Sequence, residues 1–218
     1  SVKYCLAYGG TPPRVAKTVG CDLMTAQDIY NAYWEVAKPL AMFKESITTS
    51  WQQKGKKQTI IAIDKRKVKT RSKHSLVNYE FQSAGVICAK KAMVIHDWKI
   101  KKEGYSIDFF KDDWRSKKGF QQLIAYHDEA QGEVNKELVK IKTFDTEEEA
   151  RNFKKSFETS SGRILSDIMK SKDGRWYTGL CRAGELAIES VREAGEYFNL
   201  NIKLTAGYML GRTWGECH

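Results

Sequence analysis

GFQQLIAYHDEAQGEV, residues 119–134, reads as two short strands, GFQQLIAY and EAQGEV, joined at His127-Asp128-Glu129. One histidine and two carboxylates interrupt an otherwise apolar and neutral run. Carboxylates at a tight turn between apolar strands are held rigidly and pushed toward solvent. That suits a divalent cation: Mg²⁺ is hard, wants oxygen ligands, and is usually held by one or two carboxylates plus substrate phosphates. The same residues also serve as plain polar turn chemistry, so the hairpin alone leaves both readings open.

Upstream, SVKYCLAYGG reads as the end of a helix broken at Gly9-Gly10. Thr11-Pro12-Pro13 marks a helix start and Gly20 its stop. Thr25, with Asp28 three residues on, is the expected cap of a long helix striped by Ile29, Tyr33, Val36, Leu40, Phe43 and Ile47 and kinked at Pro39. QTIIAID and RKVKT are expected as strands around an Asp64–Lys65 turn. A helical pattern follows from Lys73 to about Trp98, then a charged, loop-like stretch over 99–118. Downstream, Thr146 and Glu149 make a capping-box start, and residues 158–177 are polar with no clear periodicity. GELAIESVREAGEYF predicts a helix, and LNIKLTAGYMLG a closing strand pair. Helices and strands mix without a βαβ rhythm, so the expected class is α+β.

The chain carries 37 Lys and Arg against 27 Asp and Glu, a net charge of +10, which attracts polyanions such as nucleic acid. No run of about 18 apolar residues occurs, so no membrane partner is expected. The five cysteines are scattered without metal-like spacing. With no leader pattern in view, they point to free thiols and a cytoplasmic protein.

Within RSKHSLVNYEFQSAGV, His74, Asn78 and Gln82 recur every four residues on one helical face, with Arg71 a turn earlier. DNA's minor groove presents acceptors at every base pair, so a row of neutral donors can grip a duplex without reading its sequence. A plain solvated face is the alternative, although Lys and Glu would be the usual residues there. Tyr4 and Tyr8, four apart before Gly9, can stack against a base and a sugar or pack into a core.

Taken in order, YCLAYGG, RSKHSLVNYEFQSAG, AYHDEAQGEV and the ending GYMLGRTWGECH resemble A-family DNA polymerases, the group of bacterial DNA polymerase I and phage replicases. They are similar to the end of the fingers helix (motif B), the following palm helix, motif C, and the C-terminal tail. The resemblance implies the C-terminal part of the right-hand polymerase fold. Residues 1–57 would end the fingers and 58–218 form the palm, with 135–177 poorly matched and a candidate insertion. It implies that Asp128 is a metal-binding catalytic aspartate, Glu129 the accompanying acid on the metal, and His127 a neighbour of the primer terminus. Tyr4 would face the incoming sugar, with tolerance of dideoxynucleotides, and Tyr8 the templating base. Arg71, His74, Asn78 and Gln82 would lie along the primer–template, and His218 near the site. The implied cofactor is a pair of Mg²⁺ ions, and the implied substrates are primer–template DNA and dNTPs.

There are departures. Cys5 stands where the family usually has Gly. Motif A, with the other catalytic aspartate, is not in the sequence, nor are the Arg and Lys that hold the triphosphate, the Lys being expected immediately before Ser1. The expectation is therefore the C-terminal subunit of a polymerase divided inside the fingers helix, inactive until an N-terminal polymerase fragment joins it. Two rivals stay open. A duplex-binding module without catalysis would keep the basic surface and the donor row. A single-subunit RNA polymerase fragment would share LAYG, but those enzymes usually carry Ser where this chain has Glu129.

Overall fold

A computed structural model describes residues 2–53, 59–107, 119–126 and 129–217 of the chain. It divides into two units, 1–87 and 88–218, with the division falling inside one helix. Helices and small antiparallel sheets make up both, so the class is α+β.

In the first unit, α1 (Val2–Ala7) ends where the glycines stop it. α2 (Pro12–Val19) begins with its prolines in the first turn and closes on Gly20 in the left-handed conformation. Leu6, Val15 and Ala26 are fully buried, and Cys5, Ile29, Tyr30 and Tyr33 pack around them. α3 (Leu23–Val36) is capped by Asp22, not by Thr25. The Asp22 carboxylate accepts from the Thr25 amide at 2.9 Å and from its hydroxyl at 2.7 Å. These bonds hold the carboxyl below the usual carboxylate range. Thr25 is already inside the first turn, so its hydroxyl donates to the cap instead of serving as one.

The expected kink is a break. Ala37 leaves helical geometry at φ −87°, ψ 38°, and α4 (Lys38–Gln53) restarts with Pro39 in its first turn, where a missing N–H costs nothing. The break changes the phase of the expected stripe, and Val36 is left 86% exposed. β1 (Thr59–Ile61) and β2 (Lys67–Lys69) pair antiparallel around the expected turn, with Lys65 at φ 68°. Trp51 Nε1 donates to Thr70 Oγ1 at 2.7 Å, tying the end of α4 to the end of this hairpin.

α5 (Leu76–Lys102) is longer than its sequence pattern suggested and takes in the start of the stretch read as loop. Val94 and Trp98 are exposed, while Ala92, His96 and Ile100 are buried, so the charged end still has an apolar side that continues the helix. In the second unit, β3 (Phe120–Tyr126) pairs with β4 (Glu129–Val134), as expected. β5 (Val139–Phe144), β6 (Met169–Lys170) and β7 (Trp176–Cys181) form an antiparallel sheet in the order β5-β7-β6. α6 (Glu147–Ser161) starts with the predicted reciprocal capping box of Thr146 and Glu149. The stretch without periodicity thus holds the end of α6, an irregular connection, β6 and the start of β7.

α7 (Arg182–Tyr197) buries Leu186, Ile188 and Ala194. Ile100, Cys181, Ala183, Leu186 and Leu210 form the core, with Tyr105, Phe120, Val134, Val139 and Tyr208 against it. The expected closing strand pair is absent: residues 200–211 form no ladder. Tyr208 anchors the segment instead. Its hydroxyl lies 2.9 Å from the Ile164 carbonyl and 3.1 Å from the Gly179 carbonyl, and accepts from the Cys181 amide. Its ring occupies the space a Cβ at residue 184 would need, 2.5 Å away, which is why Gly184 is glycine. All five cysteines are free thiols. No described helix is long and apolar enough to cross a membrane.

Candidate functional site

Leu6 points α1 into the core, and this turns Tyr4 and Tyr8 outward. They are 66% and 38% exposed, so the core-packing alternative does not hold for Tyr4. Their rings stack at 6.1 Å between centroids and 20° between planes, which presents an aromatic face at the end of α1. The chain then reverses at Gly9, at φ +89°. A Cβ there would lie 2.2 Å from the His74 carbonyl oxygen. The close approach lodges the end of α1 against the turn that precedes α5.

That turn carries the donor row. Arg71 precedes it, and His74 sits in a 3₁₀ turn, Lys73–Ser75, before α5 begins at Leu76. Regular helical spacing therefore holds for Asn78 and Gln82, while His74 is offset from their line. Arg71, His74 and Gln82 are exposed and Asn78 is half-buried. Buried Leu76 and Val77 fix this part of α5. Among the described residues no hydrogen bond or ion pair engages the side chains of Arg71, His74, Asn78 or Gln82, so their donors face outward unspent.

In the second unit, Phe120 and Val134 root the hairpin in the core, and the Phe120 amide donates to the Tyr105 carbonyl at 2.7 Å. The register slips between Gln122 and Ile124, a bulge that leaves Leu123 and Ile124 each 51% exposed. Glu129 heads β4 opposite Tyr126 and is exposed, with Gln131 Nε2 donating to its Oε1 at 3.0 Å. His127, Asp128 and His218 lie outside the described residues. Beside the last of these, burial, then the charges of Glu216 and Glu129, pushes the Cys217 thiol up. The chain's last described residue is therefore within electrostatic reach of the hairpin.

Among the described residues no group of three His, Cys, Asp or Glu side chains is placed to hold a metal. Of the expected metal ligands Glu129 is described, and its carboxylate offers the oxygen that a hard cation takes.

No protein-family model matches the chain. Individual proteins do. The chain aligns with the DNA-directed DNA polymerase of Enterobacteria phage T3 over 227 residues at 25% identity, covering 99% of this chain and 25% of that protein. It aligns with the DNA-directed DNA polymerase of Escherichia phage T7 over 159 residues at 27% identity, covering 67% of this chain and 21% of that one. The chain resembles phage DNA-directed DNA polymerases. It spans about a quarter of the length of the curated relatives it matches. The alignment with the T3 protein takes in nearly the whole chain.

Proposed function

We propose that this chain supplies the C-terminal part of the polymerising site of an A-family DNA-directed DNA polymerase, with residues 1–57 from the fingers and 58–218 from the palm. The observation that carries the reading is the alignment with a phage DNA polymerase along 99% of the chain. The reaction joins the primer 3′ oxygen to the α-phosphorus of a dNTP as the bond to pyrophosphate breaks. There is little covalent chemistry for side chains to perform, so they act mainly by positioning and by meeting charge. Tyr4 lies against the incoming sugar and Tyr8 against the templating base, through the exposed stacked faces at the end of α1. Arg71, His74, Asn78 and Gln82 donate to the primer–template, whose minor groove offers an acceptor at every pair. In this reading His127 serves beside the primer terminus, and His218 is a DNA-binding residue near the site. Asp128 and Glu129 would supply this chain's share of the ligands for two Mg²⁺ ions, which when bound would neutralise charge developing on the attacking and leaving oxygens.

The second metal-binding aspartate and the triphosphate-binding Arg and Lys are not among these 218 residues. In this reading a second segment provides them, and in its split-subunit form that segment is a separate polypeptide. The hairpin supports the need for a covering segment: a two-stranded sheet is marginal alone, and Leu123 and Ile124 leave apolar surface open on it. Primer extension with Mg²⁺ and dNTPs tests this, using the chain alone, the chain mixed with the N-terminal polymerase segment, and an Asp128→Ala control in each. Incorporation in the mixture, reduced roughly a thousandfold by Asp128→Ala, is expected, since losing about 4 kcal/mol of charge stabilisation has that effect. A mixture that binds duplex DNA yet incorporates nothing overturns the catalytic reading in favour of a binding module.

A further inference from the structure

The sheet of the second unit runs β5-β7-β6, so β5 is an edge strand, and among the described residues no strand pairs with its outer side. The hydrogen bonds of β7 show which β5 groups face that side. The Gly179 carbonyl accepts from the Ser166 amide at 2.8 Å and from the Tyr208 hydroxyl at 3.1 Å, and the Gly179 amide donates to Ser166 Oγ at 2.9 Å. The Cys181 amide likewise donates to the Tyr208 hydroxyl. None of these groups turns toward β5, so Gly179 and Cys181 stand in non-hydrogen-bonded pairs with Ile141 and Val139. In such a pair each residue turns its backbone groups away from the other. By alternation Val139, Ile141 and Thr143 aim theirs at the outer edge, while Lys140, Lys142 and Phe144 bond to β7. The Val139 amide is spent on the Lys136 carbonyl. The amides of Ile141 and Thr143 have no backbone partner among the described residues.

The side chains decide what kind of strand fits this edge. Ile141 is 55% exposed, and Lys140 and Lys142, on the other face, are exposed too. Lys142 Nζ lies 3.9 Å from the centroid of the Phe153 ring, which keeps its charge on the α6 side of the sheet. A second copy of β5 fits badly. Antiparallel registers that pair Ile141 with Val139, Ile141 or Thr143 all set a lysine opposite a lysine, which is unfavourable. Lysines on an edge guard against that kind of pairing. The same charges favour an extended segment with an acid on either side of an apolar residue, its acids opposite Lys140 and Lys142 and its apolar side chain opposite Ile141. We propose that the outer edge of β5 is a docking site for an acidic, extended peptide of a partner protein, which adds a fourth strand to the sheet. The inference goes beyond the DNA reading above and does not depend on it.

The test titrates the full chain against a fluorescent, end-capped Glu-Val-Glu-Val-Glu-Val peptide. Two control peptides accompany it: Lys-Val-Lys-Val-Lys-Val, and the acidic peptide N-methylated at its valines, whose amides would meet Ile141. The acidic peptide should bind about tenfold tighter than either control. Hydrogen exchange should slow at the Ile141 and Thr143 amides on binding. Lys140→Glu/Lys142→Glu should weaken the acidic peptide about tenfold, while Lys38→Glu/Lys203→Glu, the same change of net charge elsewhere on the surface, should not. Ile141→Pro removes one outward amide and no bond to β7, so it should fold and bind about tenfold more weakly. Should that variant unfold, the lysine variants and the N-methylated peptide still decide the matter. An acidic peptide that binds equally well after N-methylation adheres by charge alone, and one that does not bind at all leaves the lysines as guards of a closed edge; either result overturns the proposal. Sedimentation showing a dimer that Ile141→Pro abolishes would make a second copy the occupant and overturn it as well.

Discussion

Replacing Gly9 with alanine separates two costs that the structure places on one residue. The first is backbone strain, since φ is +89° and an L side chain is disfavoured there by about 1–2 kcal/mol. The second is collision: the new Cβ would lie 2.2 Å from the His74 carbonyl, so the contact must open by about 0.8 Å to reach the 3.0 Å that real Cβ atoms keep. The obstacle is backbone, so no rotamer change relieves it, and overpacking of this kind costs about 1–3 kcal/mol more. Gly20→Ala is the matched control. Its φ is +79° with nothing within 4 Å of the new Cβ, so it bears strain alone. Both substitutions reduce the unfolded chain's entropy alike, and that effect cancels in the comparison. Urea unfolding followed by tryptophan fluorescence should therefore show Gly9→Ala less stable than Gly20→Ala by about 2 kcal/mol. Duplex binding should weaken as well in Gly9→Ala, because Tyr8 and His74 move apart. Equal losses within about 0.5 kcal/mol would refute the close approach of α1 to the His74 turn.

Glu185 is 3% exposed and accepts from Arg163 Nε and Nη2 and from the Ile164 amide, at 3.1, 2.5 and 3.1 Å. Glu185→Ala should cost about 2–3 kcal/mol, less than a wholly buried pair because Arg163 reaches water, and Glu185→Gln should recover part of it; a melting temperature unchanged in Glu185→Ala would refute the role. His96 donates from Nε2 to the Ala183 carbonyl at 3.0 Å, and burial holds its pKa below the ordinary value, opposed by that bond and Asp97 and assisted by Lys99. The unfolded chain then binds the proton more readily, so His96 supports stability above about pH 6.5, and this support is lost as pH falls from there through the folded pKa. Stability curves for wild type and His96→Gln should converge on acidification, and a widening gap would reverse the sign of the argument.

Local chemistry was legible wherever one residue had one physical option. Gly9 and Gly20 end helices because glycine alone enters the left-handed region freely, and the Thr146–Glu149 box starts α6 from its own two side chains. Legibility failed where two residues offered the same chemistry. Asp22 and Thr25 both cap helices, and only the backbone path from α2 decides that Asp22 is extended while Thr25 is helical. It failed again where a period lacked a partner. The alternation in residues 200–211 suits a strand, yet Tyr208 holds the segment by side-chain bonds and no ladder forms. Contacts between separate helices were invisible for a third reason: nothing local in Phe43 or Phe81 announces that their rings stack.

Around the candidate site the fold leaves several groups exposed that a chain ordinarily covers or pairs. A folded chain ordinarily buries large apolar groups and pairs partly buried charges, so violations of both rules point toward function. Leu123 and Ile124 leave apolar area open on the hairpin, and the side chains of Arg71, His74 and Gln82 are exposed. In the proposed reading a covering segment meets the first and duplex DNA the second. Each should therefore stabilise the unit it binds in proportion to its concentration over its dissociation constant. On this logic a tenfold rise in saturating duplex DNA adds about 1.4 kcal/mol to the unfolding free energy of the first unit, and an Asn78→Ala/Gln82→Ala chain needs more DNA to reach the same gain. An unfolding midpoint that ignores duplex concentration would leave those exposed donors as ordinary solvated surface.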